Sequence, residues 1–137
     1  MEGNFDSYKP LIGMELESVH LMRTAVTFKF CDPGAPHVNN DISLSTNADL
    51  CLKEEHLFKP ASEYDIIRSK DLADLYKTIG KIVLDFKPLN KKRVCKIDFE
   101  NLSIFTWAGE KELPDCLFEA RKNPNSKNFE WWLIDDQ

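Results

Sequence analysis

The chain has 137 residues, and those best suited to hold a metal ion or attack a carbonyl are His20, His37 and His56, with Cys31, Cys51, Cys95 and Cys116. A structural zinc site draws four such ligands, in two pairs at short fixed spacings. Cys51 with His56 is the closest Cys/His pair, and Cys31 with His37 is the next. Neither has a second pair to complete it, and no C-x-x-C occurs. A Cys-His nucleophile needs an activated thiol beside an imidazole and a third group to orient it. The composition permits this, and no spacing points to it. Cys31, Cys51 and Cys95 lie in apolar, strand-like runs, which suits small buried side chains in a reducing compartment. The histidines fall in loops and strand ends, where ordinary surface roles are the simpler account. A small hydrolase or nuclease built on His20, His37 or His56 is the enzyme alternative.

The other chemistries have no material. G-x-G-x-x-G, G-x-x-x-x-G-K-[ST] and G-x-S-x-G are all missing, and the chain has only 5 glycines from which to build a phosphate cradle. Glu15 and Glu17 alternate with Leu16 and are expected to face solvent. Asn101-Leu102-Ser103 matches a glycosylation acceptor that an intracellular chain would never present for modification. The expectation is therefore a non-enzyme without cofactor or metal.

The elements that would carry these residues read as an α+β fold with antiparallel sheet, in one domain over 1–137. Nine Phe, three Trp and three Tyr supply a core for that length. Val26-x-Phe28-x-Phe30 is a period-2 strand closed by Asp32-Pro33-Gly34. Ile42-x-Leu44 begins the next, and Asn47-Ala48-Asp49 reads as a tight turn into a return strand at Leu50-x-Leu52. Residues 53–68 read as loop with a short helical turn. Ser69 is the expected N-cap of a helix near 70–79, with Leu72, Leu75, Tyr76 and Ile79 on one stripe and Gly80 as its stop. Strands follow at Ile82-x-Leu84-x-Phe86, at Val94 or Cys95 to Phe99, and at Leu102–Trp107, the last apolar on both faces. A polar loop with Pro114 and Pro124 leads to a final strand, Phe129–Ile134. There Trp131 and Trp132 point to opposite sides. A central strand covered on both faces is the preferred reading, and an exposed Trp anchor for a partner is the other. Ile12-Gly13 echoes Ile79-Gly80, and the strands after each pair echo one another. This pattern predicts two successive β-meanders joined through the helix.

Charge separates the function classes. The net charge is −5, which counts against nucleic acid as the main partner. Residues 77–96 hold seven basic side chains against Asp85 alone, and Lys87–Lys96 is the nucleic-acid-binding alternative; a solvated hairpin is the plainer account. Asp49, Glu54, Glu55, Glu63, Asp65, Asp71 and Asp74 form an acidic stretch suited to a basic protein partner. No stretch approaches the roughly 20 apolar residues of a membrane-spanning helix. The N-terminus lacks a signal-peptide pattern, so the expected compartment is the cytoplasm.

Taken in order, these features resemble the small bacterial immunity proteins of contact-dependent growth inhibition systems. The matching features are Leu11-Ile12-Gly13-x-x-Leu16-x-x-Val19, the Phe28-x-Phe30 hairpin, and the helix end Leu75-x-x-x-Ile79-Gly80-Lys81-x-Val83. The strand pair Ile97-Asp98-Phe99-Glu100-Asn101-Leu102-x-Ile104 and the ending Phe129-Glu130-Trp131 complete the likeness. Many such proteins carry Gly in the turn that Glu100-Asn101 occupies here. The resemblance implies a protein that neutralises one cognate toxin, commonly a nuclease, by stoichiometric binding. It implies no fixed site residues, because toxin-facing positions vary. The acidic residues named above are the expected contact surface, with no nucleic acid, membrane or small-molecule substrate as partner.

Overall fold

A computed structural model describes residues 9–22, 25–34, 41–57, 69–89, 94–107, 118–123 and 130–134. In order, the strands are β1 (Glu15–Met22), β2 (Ala25–Cys31), β3 (Ile42–Thr46), β4 (Asp49–Cys51), β5 (Asp85–Pro88), β6 (Val94–Phe99), β7 (Leu102–Trp107), β8 (Phe118–Lys122) and β9 (Glu130–Ile134). A helix, α1 (Ser69–Lys77), lies between β4 and β5. Two sheets form, in the orders β1-β2-β3-β8-β9 and β4-β7-β6-β5, and every named pairing is antiparallel. The fold is α+β, as the apolar periodicity predicts.

Both meanders are present. β1-β2-β3 is the first and β5-β6-β7 the second. They meet along a short seam, where Gly13 N donates to Val83 O at 2.8 Å and Gly80 N donates to Leu16 O at 2.7 Å. The echo of Ile12-Gly13 in Ile79-Gly80 reaches the backbone: both glycines have φ +89°, a left-handed conformation that disfavours any side chain.

The strand after each meander crosses to the other meander's sheet. Leu50–Cys51 was expected to fold back on β3, but β4 pairs with β7, placing Leu50 opposite Thr106. Reciprocally, β8 pairs with β3, placing Ala120 opposite Leu44. Hydrophobic alternation marks which faces are buried and is silent on which strand is the neighbour.

β8 falls where a polar loop was expected. Its run Phe-Glu-Ala-Arg-Lys has only two apolar positions, Phe118 and Ala120, both fully buried. Its insertion leaves β9 at the edge of its sheet instead of in the centre. The strand expected over 82–86 begins three residues later: Ile82 makes a single bridge to Glu15, and Leu84 is exposed.

One core joins both sheets and the helix, containing Leu16, Phe28, Leu44, Phe86, Ile97, Ile104 and Leu75. Phe86 and Phe118 close it edge to face across the sheets, with ring centroids 5.6 Å apart. Leu72 and Leu75 pack here as the helical stripe predicts, whereas Tyr76 and Ile79 are exposed. β7 is buried on both faces. Ile104 enters the main core, and Phe105 and Trp107 join Cys51, Leu57 and Val94 in a second cluster. The β6–β7 turn places Asn101 at φ +63°, which Asn tolerates in a hairpin where Gly is common.

Candidate binding surface

The acidic stretch divides on inspection into buried and exposed parts. Glu54 and Glu55 are exposed on a single 3-10 turn, Glu54–His56, directly after β4. Its last residue anchors it: His56 Nδ1 lies 3.0 Å from Asp71 Oδ2 and 3.2 Å from Oδ1. Asp71 is fully buried in the first turn of α1, so its carboxylate ties two elements together and presents nothing to solvent. Asp49 is also buried, at 4% exposure. Asp74 is half-buried and pairs with Lys77 at 3.3 Å. Glu63 and Asp65 lie outside the described residues. Among the described residues of the stretch, Glu54 and Glu55 are the exposed carboxylates.

The two described histidines, His20 and His56, are not brought into one site. His20 is exposed on β1, where its Nε2 is 3.2 Å from Ser18 Oγ, and His56 is committed to Asp71. His37 lies outside the described residues. Among the described residues no group of three or more His, Cys, Asp or Glu is placed to hold a metal ion. Cys31, Cys51 and Cys95 are buried thiols outside any disulfide, and Cys116 lies outside the described residues. Cys51 Sγ donates to Lys53 O at 3.2 Å.

The basic segment is a hairpin, β5–β6, whose tip at 90–93 lies outside the described residues. Lys96 reaches Asp98 at 3.2 Å and sits 5.6 Å above the Phe105 ring, while Lys87 lies 3.6 Å from Asp85 and 3.8 Å from Asp98. These pairs, half-buried at Lys96 and Asp98 and exposed at Lys87, offset part of the charge that a phosphate would read. Trp131 and Trp132 lie on edge strand β9, with Cα partners Arg121 and Ala120; their side chains lie outside the described residues.

No family model, curated protein or solved structure matches the chain. Its surfaces must therefore be read from their own chemistry. No helix among the described residues is long and apolar enough to cross a membrane.

A second acidic region was invisible to spacing because its members come from separate elements. Cys31, at the end of β2, donates to Glu15 Oε2 at 3.9 Å. Its thiol is pushed up to about 11 by burial, then by the charges of Glu17, Glu15 and Asp41. Glu15 and Glu17 are half-buried, where alternation predicted solvent-facing side chains. Asp32 follows Cys31 in a surface cleft of about 290 Å³.

Proposed function

We propose that the chain is an immunity protein that binds and neutralises a cognate basic toxin, a nuclease in the first instance, by forming a stoichiometric complex in the cytoplasm. The observation that carries this reading is the exposed Glu54-Glu55 turn held in place by His56 and Asp71, on a chain of net charge −5. A fixed acidic turn meets a basic partner without the entropic cost of ordering it first. The reading also draws on the resemblance to immunity proteins of contact-dependent growth inhibition systems. A complex of this kind buries roughly 1,200–2,000 Å² in total. The chain needs no chemistry of its own for that task, and its histidines and thiols are treated as structural.

The test is co-expression with the protein encoded beside it. A growth-inhibiting partner that co-purifies at one to one is the expected result. A purified chain that binds no such protein, and carries a hydrolytic activity lost on replacing His20, His37 and His56, would overturn the reading.

A further inference from the structure

Among the described residues the two sheets end on four strands, β1 and β9 in one and β4 and β5 in the other. An end strand presents a row of unpaired backbone N–H and C=O groups, and folded chains guard such rows with charge, proline or shortness. Three of these edges are guarded. β5 carries Asp85, Lys87 and Pro88. β4 is three residues long and buried throughout. β9 opens on the exposed Glu130.

β1 is covered only at its start. Leu16 N donates to Lys81 O at 2.9 Å, and Gly80 N donates to Leu16 O at 2.7 Å, so the seam between the meanders occupies that end. A bulge follows between Leu16 and Ser18. Beyond it, Ser18-Val19-His20-Leu21-Met22 holds no carboxylate, lysine, arginine or proline, and among the described residues no strand lies on its outer side. Val19 and Leu21, opposite Phe28 and Val26, pack on the core yet are only partly buried. Ser18, His20 and Met22 alternate with them onto the other face, where His20 is exposed and Met22 is 59% exposed. A strand laid along this edge would pair its outward backbone groups and cover the open flanks of Val19 and Leu21.

We propose that this edge pairs with the same edge of a second copy of the chain, antiparallel about a two-fold axis at His20, so that two five-stranded sheets join into one. The sequence about His20 selects the occupant. Centring the pair there sets Val19 opposite Leu21 of the second copy, apolar against apolar on the core side, and Ser18 opposite Met22. One step further out, Glu17 falls opposite position 23, an arginine that lies outside the described residues. Both ends of this register therefore match acid with base, and the two-fold axis makes every contact twice. The inference goes beyond the toxin reading and does not depend on it.

The test is sedimentation velocity of the full chain over a rising concentration series. A reversible monomer–dimer equilibrium is expected, and salt should strengthen it because each copy carries a net charge of −5. Binding to a basic toxin would weaken with salt instead. H20K and H20E each set like charges face to face at the axis, on an exposed position. Each should weaken dimerisation about fivefold, with urea unfolding midpoints unchanged. Mixing the two variants apposes opposite charges and should restore a dimer containing one of each. A chain that stays monomeric throughout, a dimer indifferent to both substitutions, or a mixture that remains monomeric would each overturn the proposal. A monomeric chain whose toxin binding falls with H20K and H20E alike would give the edge to the toxin and overturn the second copy as its occupant. A dimer that responds as stated and binds no toxin keeps the edge pairing and loses the toxin reading.

Discussion

His56 Nδ1 stands 3.0 Å from the buried Oδ2 of Asp71, joining the turn after β4 to the first turn of α1. The two residues bracket the segment that carries Glu63 and Asp65. Replacing His56 with Ala leaves a buried carboxylate without this partner, a loss of about 1–3 kcal/mol. Glu55→Ala, on the exposed side of the same turn, should stay within about 0.5 kcal/mol. Urea unfolding of both variants measures the difference. Equal stabilities would mean the pair does not fasten the turn.

The same turn should set the encounter rate with a basic partner. Reversing Glu54 and Glu55 to Lys is expected to slow association about tenfold at low salt and to flatten its ionic-strength dependence. Stopped-flow association with the toxin across a salt series reads both quantities. An unchanged rate and salt slope would remove this turn from the interface.

Gly13 and Gly80 test the seam between the two meanders. A Cβ at either would meet nothing within 4 Å, so the cost of Gly→Ala is purely the backbone's, at φ +89°. Each replacement should destabilise by about 1–2 kcal/mol. Gly34, equally open and outside the left-handed region, should tolerate Ala within about 0.5 kcal/mol. Thermal or denaturant unfolding of the three variants is the measurement.

How much of this architecture was legible depended on the strength of each local pattern. Val26-x-Phe28-x-Phe30 and Leu102–Trp107 declare themselves, because large apolar side chains alternate with nothing to compete. β8 offers a single large residue, Phe118, and was hidden until the 5.6 Å contact with Phe86 placed it in the core. The exchange of β4 and β8 between sheets left no mark in either strand, since a strand's alternation is the same beside any neighbour. Asp71 read as a helix-start carboxylate, which it is, but its burial against His56 depends on how α1 lies against the turn. The Cys31 corner was hidden for the same reason: Glu15, Glu17 and Asp41 come near its thiol only when β1, β2 and β3 pair.

Phe118→Ala is the direct check on that placement. Emptying a buried aromatic position should cost about 3–5 kcal/mol. Leu84→Ala, at a side chain 57% exposed, should cost little. Similar small losses at both positions would remove β8 from the core.

The Cys31 thiol gives a pH signature. Its folded value of about 11 lies above the ordinary 9.0, so the folded chain holds this proton more tightly than the unfolded chain. The resulting stabilisation is fully present below pH 9.0 and is lost as pH rises toward about 11. Comparing the chain with Cys31→Ala by denaturant unfolding across that window isolates the effect. The unsubstituted chain should lose stability more steeply, and parallel curves would contradict the assignment.

The central claim is stoichiometric neutralisation of a toxin, and titrating the partner toxin's activity with purified chain tests it most directly. The predicted result is a linear fall that reaches zero at one equivalent, with a sharp break. Toxin activity undiminished at several equivalents would contradict it.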